Sequence, residues 1–121
     1  MAQDSNRKLY DLEDRTYDFA RNVRKFLKQL PKDIANNEDS KQLARSSGSI
    51  GANYIEANEA LSKKDFAYRI RICRKEAKES RFWLRLVDFD HNQSLEQVRD
   101  ELINECSEMI RIFSSIVNKT A

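Results

Sequence analysis

Arg45-Ser46-Ser47-Gly48-Ser49-Ile50-Gly51-Ala52-Asn53-Tyr54-Ile55-Glu56-Ala57 contains both glycines of a 121-residue chain. Leu43, Ala44, Ser47, Gly48, Gly51, Ala52 and Ile55 recur at three- and four-residue spacing, which predicts the middle of a helix rather than a turn. Inside a helix two glycines cost about 1 kcal/mol each relative to alanine. Close approach of a neighbouring backbone would offset that cost, because Ala44, Ser47, Gly48, Gly51 and Ala52 make a groove nearly free of side chains. The alternative is a glycine C-cap, against which the periodicity runs on through Ile55 and Ala57.

Outward from this stretch, the chain reads as one all-α domain over 1–121. Two glycines, one proline and 35% charged residues describe solvated helices rather than strands joined by turns. Four helices are expected over about 8–30, 38–61, 63–89 and 95–118. The first carries Leu9, Leu12, Phe19, Val23, Phe26, Leu27 and Leu30, with Thr16 filling one turn of the stripe, and Pro31 stops it. Ile34 is the expected anchor under the following loop, and Asn36 and Asn37 are the expected N-caps of the second helix. Ser62-Lys63-Lys64-Asp65 has capping-box spacing, so a short turn should set the second and third helices antiparallel.

Around such a turn, facing residues have numbers summing to about 125, which puts Gly48 opposite Ala77 and Gly51 opposite Cys73 and Arg74. The third helix presents Phe66, Ile70, Cys73, Ala77, Ser80, Leu84 and Val87 to the core. Ser94-Leu95-Glu96-Gln97 reads as the capping box of the fourth. Its stripe is Leu95, Val98, Leu102, Met109, Phe113 and Ile116, widened by Ile103, Cys106, Ile110 and Val117. Short links between four amphipathic helices give an antiparallel up-down-up-down bundle.

Chemistry is sparse. His91 is the single histidine and falls in a predicted loop, too little for a triad or a zinc site. Glu56 with Glu59 and Glu76 with Glu79 have i,i+3 spacing but lack the Glu-x-x-His pairs of a di-iron bundle. Gly48-Ser-Ile-Gly51 follows no strand and so is no phosphate loop. No catalytic residue, metal, cofactor or small-molecule substrate is therefore expected. Asn53, Glu56, Arg69 and Glu76 are expected to form a polar network that fixes helix register. Cys73 and Cys106 read as buried thiols, and the absence of a signal-like or membrane-spanning run points to the cytoplasm.

Two surfaces remain. Net charge is only +2, yet Arg71, Arg74, Lys78, Arg81 and Arg85 fall within about 80 degrees of one another along about 21 Å of the third helix, flanked by Lys64 and Lys75. That stripe suits phosphates of RNA or DNA, or an acidic protein. It could instead be neutralised by Glu96, Asp100, Glu101, Glu105 and Glu108 of the fourth helix. Ile72, Trp83, Leu86 and Phe89 lie off the core seam, and Ile50, Tyr54, Ala57, Tyr10 and Tyr17 add to the apolar surplus. Tyr54, Ile72, Trp83 and Leu86 are the expected contacts of a homo-oligomer.

The central motif, with Ser62-Lys-Lys-Asp-Phe66 and Ile72-Cys-Arg-Lys-Glu-Ala-Lys-Glu-Ser-Arg-Phe-Trp-Leu84, resembles the bacterial four-helix-bundle family named after proteins encoded in intervening sequences of 23S ribosomal RNA genes. The resemblance runs from about Leu9 to Ile116 and implies a ring-shaped homopentamer without enzymatic activity. A related branch, the accessory proteins of diversity-generating retroelements, is a basic pentamer that binds nucleic acid and works with a reverse transcriptase. This chain's near-neutral charge departs from that branch. The expectation is thus a pentameric interaction protein whose third-helix stripe binds RNA or DNA, with a protein scaffold lacking nucleic-acid binding as the alternative.

Overall fold

The computed structural model describes residues 12–120, all but the connections being helical. The helices are α1 (Leu12–Gln29), α2 (Ile34–Asn58), α3 (Lys63–Leu86) and α4 (Gln93–Thr120). Leu9, Tyr10 and the expected start of the first helix near residue 8 lie outside the described residues.

The helix ends are set by side chains other than the expected ones in two places. Asp33, in extended conformation, caps α2 by accepting the Asn36 N–H on its carboxylate. Asn36 is instead 2% exposed and ties two loops together. Its Nδ2 donates to the carbonyls of Pro31 (2.9 Å) and Asp88 (2.8 Å), and its Oδ1 accepts the Asp88 N–H at 2.9 Å. Ile34, expected as a buried anchor, is 87% exposed because it has become the first helical residue, facing away from the bundle. At α4, Asn92 rather than Ser94 accepts the Leu95 N–H. Ser62 does cap α3, accepting the Asp65 N–H at 3.0 Å. Asp90 and His91, with φ of 51° and 61°, turn the chain between α3 and α4.

The four helices pack in sequence order, each against the next, and α4 closes back on α1. Core side chains come from all four: Phe19 and Phe26, Leu43 and Ile50, Ile70 and Leu84, Met109 and Phe113 are all at most 2% exposed. Each such burial stabilises by about 1.5–3 kcal/mol before entropy is counted. The expected stripes of α1, α3 and α4 face inward, Thr16 included. On α2 the inward face is rotated from the expected one. Ile50 (0%), Tyr54 (9%) and Ala57 (2%) are core residues, whereas Ile55 (48%) is exposed. Tyr54 packs 6.5 Å from Phe113, ring centre to ring centre, so it is not available to another subunit. The physical reason is volume: Ile50 and Tyr54 remove far more apolar area from water than glycines and alanines do, and they decide which side of α2 turns inward.

With that rotation, the glycines meet α1 instead of α3. A Cβ on Gly51 would lie 2.9 Å from Thr16 Oγ1, and one on Gly48 would lie 3.3 Å from Arg24 Nη2. The close approach of a neighbouring helix is present, but Ala77 is not the partner. Ala77 is fully buried in the α3 seam.

Candidate nucleic-acid interface

Where α2 meets α3, the contacts climb one helix as they descend the other. Arg45 bonds Glu79 and Glu76, Ser46 Oγ lies 2.8 Å from Ser80 Oγ, the Cys73 thiol donates to the Ile50 carbonyl, and Arg69 donates to Asn53. Facing numbers thus sum close to the expected value. The expected Asn53, Glu56, Arg69, Glu76 network is only partly assembled. Arg69 and Asn53 meet at 3.3 Å, but Glu76 turns to Arg45 at 3.1 Å and Glu56 is exposed. Burial pulls the Glu79 carboxyl upward, yet hydrogen bonds from Arg45 and the Trp83 indole outweigh it and hold the group below its ordinary value. Both thiols are buried and pushed up to about 12 by desolvation, so they are inert.

Between α1 and α2 the missing glycine side chains leave a groove of about 560 Å³ lined by Tyr17, Ala20, Ala52 and Ile55 between Glu13 and Asp14 at one end and Arg21 and Arg24 at the other. Ala44 and Ser47 belong to the same approach: the Ala44 carbonyl accepts bonds from Arg24 and from the Ser47 hydroxyl. Among the described residues no group of three or more His, Cys, Asp and Glu side chains is placed to hold a metal ion. None of the described helices is long and apolar enough to cross a membrane.

The basic stripe lies on the flank of α3 that adjoins α4. Arg71, Lys78 and Arg85 are exposed; Arg74 and Arg81 are half-buried. Arg74 Nη1 donates to Ser114 Oγ at 3.4 Å and Arg81 Nη1 to Ser107 Oγ at 3.1 Å. These are neutral partners. Three of the five α4 acids that sequence spacing offered as counter-charges pair with other cations: Glu105 and Glu108 bind Arg15 of α1 at 2.7 and 3.3 Å, and Asp100 binds Arg99. Among the described residues, none of the five stripe cations is in an ion pair. Periodicity located the stripe but could not assign those acids, because the choice of Glu105 between α1 and α3 depends on how far α4 is rotated.

Of the residues expected at an oligomer contact, Leu86 is half-exposed and Ile72 partly so, while Trp83 packs against the core with its N–H on Glu79.

Comparisons with known proteins agree with this architecture. The chain is similar to a structure described as a protein with unknown function from the S23 ribosomal protein family of Bacteroides thetaiotaomicron VPI-5482. It is 30% identical over 87% of this chain and 96% of that one, with a TM-score of 0.73. No curated protein matches. The family model of the 23S rRNA-intervening sequence protein matches residues 10–115. The chain belongs to the 23S rRNA-intervening sequence protein family.

Proposed function

We propose that this chain is a non-enzymatic interaction protein of the cytoplasm, an antiparallel up-down-up-down bundle assembled as a ring-shaped homopentamer that presents the α3 stripe to RNA or DNA. One observation carries the nucleic-acid reading. Arg74 and Arg81 are steadied by hydroxyls, Arg71, Lys78 and Arg85 are exposed beside them, and among the described residues none of the five is in an ion pair. A ring would repeat that stripe once per copy, which is how a chain of net charge +2 can offer a strong local field. Contacts that ascend one helix while descending the next support the antiparallel order. Phosphates are the fitting ligand, because binding through unpaired cations needs no particular base sequence.

The test is a fluorescence anisotropy titration of labelled single-stranded RNA and duplex DNA at low salt. Changing Arg74, Lys78 and Arg81 to glutamate should abolish binding, and raising salt should weaken the parent steeply. Affinity indifferent to all three changes would remove the stripe from the function. Light scattering at several concentrations reads the assembly, and a mass fixed at 14.2 kDa would remove the ring. A protein scaffold is the second reading, favoured by the exposed Tyr17, Ile55, Tyr68 and Phe82. It predicts no binding to either nucleic acid.

A further inference from the structure

Among the described residues, the side of α3 turned away from the core carries a row of exposed apolar side chains. Tyr68, Ile72, Lys75, Glu79, Phe82 and Leu86 recur along it at spacings of four and three, the pattern of a helix seam that expects another helix. They stand about 200 degrees around α3 from the core seam, at 100 degrees per residue. Tyr68, Phe82 and Leu86 are 57%, 52% and 51% exposed. Phe82 is braced edge-on against Trp83 with ring centres 5.0 Å apart, and Arg69 lies over the Tyr68 ring, so both aromatics are held in place.

The order of residues along this seam says what covers it. Read from either end it is apolar, apolar, charged, charged, apolar, apolar, and the two charges are opposite. Two copies of α3 laid antiparallel about a two-fold axis level with Ala77 place Tyr68 against Leu86, Ile72 against Phe82 and Lys75 against Glu79, each pair occurring twice. No other pairing of this seam with itself satisfies both charges. A parallel pairing sets lysine against lysine and glutamate against glutamate. Among the described residues Lys75 has no ion-pair partner, and Glu79 uses only Oε1 toward Arg45 and Trp83, leaving Oε2 for a second cation. We propose that the outward face of α3 is a two-fold docking surface for the α3 of a second copy of this chain, in antiparallel register.

The proposal rests on the reading that copies of this chain associate, and it adds a contact that a ring cannot supply. A two-fold contact uses the same patch on both partners and joins copies in pairs, so it does not close a five-membered ring; it joins one ring to another, back to back. Each copy then contributes its α3 seam to one partner in the opposite ring.

Two measurements test it. In sedimentation velocity the parent should run as a particle of ten copies, two rings of five. Lys75→Glu sets like charges against each other twice per pair and should raise the concentration needed for pairing roughly tenfold or more. The double variant Lys75→Glu, Glu79→Lys should restore it. For the register, Ile72→Cys protein mixed with Phe82→Cys protein should form disulfide-linked pairs on mild oxidation, and Ile72→Cys alone should not. The native Cys73 and Cys106 are buried and stay silent.

A particle of five copies that ignores Lys75→Glu and gives no mixed disulfide overturns the α3 pairing and leaves the ring standing. A parent of two copies that Lys75→Glu splits into one keeps the α3 pairing and overturns the ring. Equal cross-linking of Ile72→Cys with itself would show a parallel register and overturn the proposal.

Discussion

Gly51 of α2 packs so closely on Thr16 of α1 that a Cβ would sit 2.9 Å from the threonine Oγ1 and 3.3 Å from its Cβ. Thr16 cannot step aside easily, being 1% exposed and bonded through its hydroxyl to the Glu13 carbonyl at 3.0 Å. Gly51→Ala gains about 1 kcal/mol of helix propensity and loses about 1–3 kcal/mol to overpacking. A net destabilisation is expected, read as a lower urea midpoint, and Thr16→Ala should recover most of it in the double variant. Gly48→Ala should do the reverse. Its Cβ would meet only the far end of the exposed Arg24 side chain, so the variant should be more stable by about 0.5–1 kcal/mol. Equal effects at the two glycines would refute this account of the α1/α2 contact.

Asn36, itself buried, joins the loop before α2 to the loop after α3 through three part-buried hydrogen bonds. Asn36→Ala strands two carbonyls and one N–H, and a loss of about 2–4 kcal/mol is expected by chemical denaturation. Asn36→Asp keeps the shape and the acceptor while deleting the donor, and should cost nearly as much. A variant melting with the parent would show that the loops hold without the clamp.

Much of the fold is legible in the sequence because the large apolar residues of α1 and α4 gather mainly on one side, and on α3 the row Ile70, Cys73, Ala77, Ser80 and Leu84 marks the inward face although Tyr68, Ile72, Phe82 and Leu86 form a second row opposite it. On α2 small residues occupy one flank and Ile50, Tyr54 and Ala57 another, and spacing cannot rank them; volume does. Asn36 escapes a reading of the sequence for a related reason. An asparagine before a helical run looks like a cap, and its partner Asp88 lies 52 residues away. The stripe itself is visible in the sequence, but its lack of an ion-pair partner among the described residues is not, because the choice made by Glu105 and Glu108 is tertiary.

Glu79 gives the bundle a pH dependence of known sign. Its folded value lies below its ordinary one, so its contribution is fully present above the unfolded-state value of about 4.3 and is lost as pH falls through the lower folded value. Stability of the parent should therefore drop on acidification below pH of about 4.5, more steeply than that of Glu79→Gln. Arg45 is half-exposed, so solvent screens the pair and the difference between the two curves should be modest. Parallel curves for parent and variant would show that the Arg45 contact carries no linkage.

Ser107 and Ser114 offer a way to silence the stripe without touching it. Both lie on α4 within hydrogen-bond reach of Arg81 and Arg74, in the place where acids would have to stand to neutralise them. Ser107→Glu and Ser114→Glu together should form two ion pairs across α3 and α4 and leave thermal stability close to the parent's, since half-exposed pairs contribute about 0–1 kcal/mol. Once Arg74 and Arg81 are neutralised and no longer displace counterions from phosphate, the slope of log affinity against log salt should fall by about 1.4–1.8. Serine to glutamine at both positions controls for side-chain size and should leave that slope unchanged. If the glutamate and glutamine variants bind RNA or DNA alike, Arg74 and Arg81 do not meet phosphate, and the interface belongs to Arg71, Lys78 and Arg85 or to another surface.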